Sequence, residues 1–273
     1  MKAAKLTSTF PHPLGGPPPA ERHLSRAPLE RVVAQVRFPT ILKIADQTAM
    51  SAFQEQIRTD YPILRELQNQ TMRVEMGPGV PVAIPMVSKV WQFADVGGAW
   101  KVSLARDAMT IETSVYLSRA DLLSRWTTLL NALESTFRPV LAQRIGLRFI
   151  DRIVEREFEV LPTLMNAELV SKSLSRLRSH LKYSINEAQL SVEEGDLLLR
   201  WGVMPPNMSP DPGAIGPLPI ESFILDIDVW SLAQRAFSAS DLTDAFQKLA
   251  ERAYSVFRFA VSEKFLKVYG VGS

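Results

Sequence analysis

Asp226 and Asp228 are the residues of this chain best placed to do chemistry. They stand two apart in Leu225-Asp226-Ile227-Asp228, whose alternation reads as a β-strand, so both carboxylates leave the same side of it. Two such carboxylates can hold a hard cation or raise one another's pKa. Glu112, in the similar run Ile111-Glu112-Thr113, could join them. Arginines alternate in the same way: Arg144, Arg148 and Arg152 interleave with Ile145, Leu147, Phe149 and Ile153, and Val36-Arg37-Phe38 repeats Leu147-Arg148-Phe149. Tyr116 and Trp230 end the two acidic strands. A face carrying Arg37, Glu112, Tyr116, Arg144, Arg148, Asp226, Asp228 and Trp230 has three readings. Its charges can pair across strands on a solvated sheet. It can grip a protein segment, since arginine and aromatic side chains dominate such interfaces. It can also stack the bases of a single nucleic-acid strand, although the acids oppose that.

The densest basic patch lies on an expected helix over residues 168–181: Lys172, Arg176, Arg178 and His180, with Lys182 just beyond. Lys172 and Arg176 share a helix face at i, i+4 spacing. The patch reads as a solvated surface, or as a cluster that neutralises phosphates without reading bases. Lysine and arginine exceed aspartate and glutamate only by 31 to 29, so there is no bulk pull towards nucleic acid or an anionic membrane.

Much chemistry is discounted. There is no cysteine, which removes disulfides, thiolate metal sites and thiol nucleophiles. The three histidines are His12, His23 and His180, too scattered for a histidine triad or a multi-histidine metal site. Neither a Gly-x-Gly-x-x-Gly run nor a phosphate-binding Gly-Lys-Ser/Thr loop is present, so no cofactor and no metal is called for. The lack of cysteine, of a leader and of any long apolar run favours a cytoplasmic protein without a membrane segment.

The elements that must position these residues come twice. A strand over 31–38 precedes a helix from about Asp46 that Pro62 ends or kinks, then antiparallel strands over 71–116, then a helix opening Ser118-Arg119-Ala120-Asp121-Leu122. In the second half come a strand over 144–153, the helix over 168–181, strands over 182–193, 196–204 and 223–230, and a helix over 238–266 opening Ser238-Ala239-Ser240-Asp241-Leu242. At an offset of 120, Leu122, Trp126, Leu129, Leu130, Leu133 and Phe137 fall on Leu242, Phe246, Leu249, Ala250, Ala253 and Phe257. In each, a serine N-cap starts the helix. The expected fold is α+β: two quasi-repeated lobes, 28–142 and 143–273, joined in one curved antiparallel sheet with helices on one face, in the element order of the saddle of TATA-binding protein. Residues 1–27, with five prolines, read as a flexible arm, and 205–221, with six, as an unusually long loop.

The same segments resemble a sporadically distributed bacterial family of conserved hypothetical proteins. The match rests on Pro28-Leu29, Arg37-Phe38-Pro39, Phe53-Gln54, Ile57-Arg58, Tyr61-Pro62, Trp91-Gln92-Phe93, Ile111-Glu112-Thr113, Leu225 to Asp228 and, most specifically, Arg144 to Ile150. It spans roughly residues 27–265. Asp151 stands where such proteins often carry asparagine, which implies that a specific polar contact there is weakened. The family brings no activity; its patchy distribution implies accessory gene neighbourhoods such as defence or toxin–antitoxin modules.

Together these readings favour a non-catalytic binding or adaptor protein that recognises a protein or peptide partner, such as the product of a neighbouring gene, on the uncovered sheet face. The alternatives are a nucleic-acid-binding protein using Lys172, Arg176, Arg178 and Lys182 or the sheet groove, and a metal-dependent enzyme centred on Glu112, Asp226 and Asp228.

Overall fold

The computed structural model describes residues 14, 17–75, 82–170 and 177–270. The fold is α+β, with nine strands in one antiparallel sheet and helices packed on one side of it. In chain order the strands are β1 (Leu29–Arg37), β2 (Ile63–Glu75), β3 (Val82–Ala94), β4 (Trp100–Ala105), β5 (Ala108–Thr113), β7 (Arg144–Val154), β8 (Ser184–Val192), β9 (Gly195–Met204) and β10 (Ser222–Ser231); β6 (Leu141–Ala142) and β11 (Arg235–Ala236) form a separate short pair. The helices are α1 (Gln47–Ile57), α2 (Arg119–Phe137), α3 (Glu155–Glu159), α4 (Leu161–Leu164), α5 (Ala239–Ala260) and α6 (Glu263–Tyr269).

The spatial order is β2-β3-β4-β5-β1-β7-β10-β9-β8. Outward from the central β1–β7 pair, each half places its last strand beside its first: β5 beside β1, β10 beside β7. Alternation then sorts the side chains. Val32, Ala34, Val36, Ile145, Leu147, Leu225, Ile227 and Val229 are buried in the main core, beneath Leu122, Trp126 and Leu129 of α2 and Leu242, Phe246 and Leu249 of α5. The two long helices meet edge to face through Trp126 and Phe246, with ring centroids 4.9 Å apart. Ser118 and Ser238 each accept a hydrogen bond from the amide three residues on, as the capping pattern predicts. The Asp95–Gly98 turn also forms: Gly98 takes φ +68°, and Asp95 accepts from the Trp100 amide.

Several boundaries differ from expectation. Strand β2 begins at Ile63, directly after Pro62, because its long pairing with β3 outweighs weak local alternation. The last helix is two helices. Val261 leaves helical geometry to bridge Met165, and Ser262 caps α6 by accepting from the Phe265 amide. The expected helix over 168–181 lies largely outside the described residues: Ala167–Leu169 form a turn, Val170 a bend, Leu177 is helical and Arg178–His180 form a single 3-10 turn. Lys172 and Arg176 lie outside the described residues, so the patch they would complete has no described geometry. Nor do residues 21–26 hang loose. The Arg22 amide donates to Tyr254 Oη at 2.8 Å, the Arg26 amide to the Tyr269 carbonyl at 3.1 Å, and Arg22 pairs with Glu263 at 3.0 Å.

Gly202 is the tightest backbone approach in the sheet. It takes φ +154°, and a Cβ there would lie 1.8 Å from the Ser184 carbonyl oxygen of β8. Backbone atoms cannot rotate away as a side chain can. Gly202→Ala is therefore expected to lower stability by about 3 kcal/mol or more, read as a fall in the urea midpoint at unchanged m-value.

Candidate functional site

On the face away from the helices, Arg148 and Asp226 of the sequence-predicted residues join Arg200 and Asp211 in an ion-pair network. Asp226, only 4% exposed at its side chain, accepts from Arg148 Nε at 2.8 Å and Nη2 at 2.7 Å, and from Arg200 Nη1 at 3.3 Å. Arg148 Nη1 reaches Asp211 at 2.8 Å. Burial works against the charge of Arg148, but hydrogen bonds and charge from Asp226 and Asp211 outweigh it and hold the guanidinium protonated. Burial pushes up the pKa of Asp228, against the opposing pull of Arg144 and Arg148. Arg144 donates to Gln35 and lies with its guanidinium 5.9 Å from the Trp230 ring, over Gly146, which has no side chain to displace it. Arg37 is exposed and pairs with Asp107.

This face is not open throughout. The 205–221 loop folds over its β7–β10 part: Ile215 packs with Ile150, Met204 and Ile224, while Arg31 donates to the Gly213 carbonyl and Arg152 to that of Gly216. Asp226 is thus buried, and Arg148 is partly covered by the chain's own loop. Glu112 is elsewhere, paired with Arg31 at 3.5 Å and Lys101 at 3.9 Å. The registers Glu112–Val33–Arg148–Asp228 put it three strands from Asp228, about 14 Å at ordinary strand spacing. The three acids do not share a site, and among the described residues no cluster of three possible metal ligands forms. Tyr116 lies on the opposite face altogether. Strand β5 stops at Thr113, so the alternation that would have carried Tyr116 outward ends first, and its ring packs edge to face on Phe149 at 5.7 Å.

The chain places a different site on the helix side. A cavity of about 240 Å³ lies between the sheet and α5, roofed by Glu21–Leu24 and Ala27. Its walls are Phe149, Ile227, Tyr116, Tyr254 and Phe257; Arg119 stands at its edge, and Asp151 lines it from β7. The space exists because α5 turns Ala250 and Ala253 towards it, at the positions where α2 has the buried Leu130 and Leu133. Asp151 is 4% exposed and receives no hydrogen bond or ion pair among the described residues. Burial, then the charge of Asp226 on the neighbouring strand, raises its pKa to about 7.

The other charges around the cavity are engaged. Glu21 accepts from the Tyr116 hydroxyl and the Arg119 amide, both at 3.1 Å. Arg119 pairs with Glu251 at 3.6 Å and lies 5.6 Å from the Tyr254 ring. Burial first, then Glu21, pushes the Tyr116 hydroxyl far above its ordinary pKa. Asp151 is the residue whose place departs furthest from the sequence expectation. An acid after Ile145, Leu147 and Phe149 on the core-facing side is a break in the apolar pattern of the strand. Paired alanines opposite paired leucines carried the second signal.

Fold and site thus define an α+β protein with a nine-stranded antiparallel sheet, helices on one side of it and a partly open pocket between them, lined by Asp151 and Glu21. No family model and no curated protein matches the chain. No helix among the described residues is long and apolar enough to cross a membrane.

Proposed function

We propose that this chain is a binding protein that encloses a small organic molecule in the pocket between β7, α5 and the Glu21–Ala27 segment. One observation carries the reading: a nearly fully buried carboxyl, without a partner among the described residues, opens on a cavity walled by aromatic rings. Burying an unpaired carboxyl costs several kcal/mol unless something compensates it. Apolar cavities with a few converging polar groups are where proteins take small ligands. The size suits a single ring with a short substituent, since a dry cavity of about 150 Å³ already admits benzene.

The test is a ligand-observed NMR screen of one-ring fragments against the wild type and Ala253→Leu, which places in α5 the side chain that α2 carries at the equivalent position. Fragments should show saturation transfer with the wild type and lose it with a folded Ala253→Leu protein. Equal signals with both proteins, or none with the wild type, would count against the pocket.

A partner on the sheet face is a second reading, supported only beyond the loop. There Arg37, Arg144 and Trp230 frame the short polar residues Gln35, Ser103 and Thr110, which the strand registers bring together. Co-purification lost on Arg37→Glu, with Ala253→Leu having no effect, would assign the function to this face.

A further inference from the structure

Resting on the pocket reading, we infer that the enclosed ligand is a small organic cation: a free protonated amine on an apolar or aromatic body, its ammonium against Asp151. Three features converge on this class. The carboxyl of Asp151 is the acid of the cavity wall that lacks a counter-charge, whereas Glu21 is satisfied by Tyr116 and Arg119. Four aromatic residues, Tyr116, Phe149, Tyr254 and Phe257, line the same space, and aromatic rings attract cations through their faces. The arginines around the cavity already have carboxylate partners: Arg22 is paired with Glu263 and Arg119 with Glu251.

The charge state of Asp151 then sets affinity. The groups around it are Asp226 on β10, Tyr269 on α6 with Glu157 and Arg26 beside that ring, and Glu21, Arg22, His23 and Arg119 around the cavity. Asp226 opposes ionisation of Asp151. An ammonium ligand reverses the balance by favouring the carboxylate, so binding releases a proton below pH 7 and strengthens as pH rises. A neutral acceptor or an anion would show the opposite slope, because it needs the protonated acid. The small volume of the cavity, partly covered by Glu21–Leu24 and Ala27, suits a free amine better than a lysine carried on a bulky chain.

Isothermal calorimetry with benzylammonium, benzyl alcohol, benzoate and a blocked Gly-Lys-Gly peptide tests the assignment. Benzylammonium should bind most tightly, gain about tenfold in affinity between pH 6 and pH 8, and lose its advantage over benzyl alcohol in Asp151→Asn. The peptide should not bind. Preference for benzyl alcohol or benzoate, or a benzylammonium affinity indifferent to pH and to Asp151→Asn, overturns the cation and leaves the pocket standing. Tighter binding of the peptide overturns the free amine as its source. No binding by any probe at millimolar concentration overturns the pocket itself, and the cation with it.

Discussion

Asp151→Asn should make this protein more stable at pH 8, by an amount of the order of 4 kcal/mol, and leave it nearly unchanged at pH 4. Asparagine keeps the shape of the side chain and removes its charge. The native pKa of about 7 lies above the ordinary 3.8, so the folded protein binds this proton more tightly than the unfolded chain does. Stability from this group is therefore greatest below pH 4, falls as pH rises from about 4 to 7, and is constant above that. The gap between the folded and ordinary values is about three pH units, and each is worth about 1.36 kcal/mol, which gives the order of magnitude. Urea unfolding of both proteins at pH 4, 6 and 8 is the measurement. Parallel curves at all three would mean that Asp151 is compensated in the ligand-free protein, and would remove the main support for the pocket. The same substitution thus stabilises the fold while impairing the proposed site, as expected where a strained group is kept for binding rather than for folding.

Arg148→Met should act in the other direction and cost roughly 3 kcal/mol, the lower end for a broken buried pair because Arg200 still reaches Asp226. The loss has two parts. The side chain of Asp226, 4% exposed, is left with one guanidinium in place of two, and the 205–221 loop loses its tie through Asp211. A buried carboxylate deprived of its main partner is costly because its charge is left under-compensated. The double variant Arg148→Met/Asp226→Leu should recover most of the stability, since apolar pairs often replace buried ion pairs without penalty. Urea midpoints for the single and double variants check this. A single variant within about 0.5 kcal/mol of the wild type would show that the network is no more than a surface pair.

Much of the sheet was legible because strand periodicity is local. The alternation of Ile145, Leu147 and Ile153 against Arg144, Arg148 and Arg152 assigns their faces correctly, and so does that of Leu225 and Ile227 against Asp226 and Asp228. The serine caps at 118 and 238 were equally plain, since capping involves atoms only three residues apart. What failed were inferences across distance. Tyr116 falls on the wrong face when alternation is carried past the end of β5. The second face looks open from the sequence because nothing local says that Ile215 will bury itself on Ile150, some 65 positions away in the chain. The matching strand order of the two halves agrees with the doubled sequence, but a shared topology is not by itself evidence of descent.

By itself, then, the sequence determined the α+β class, the side of the sheet on which the β7 and β10 residues stand, the starts of the two long helices and the pairing of acids with arginines. These depend on period, capping and charge, which act between near neighbours. Only the tertiary structure decided that the arginine face is roofed by its own loop, that residues 21–26 close over the other side, and that Asp151 ends beside empty space. A cavity is a property of what several elements fail to fill together. Ala250 and Ala253 become an opening only when α5 lies over β7.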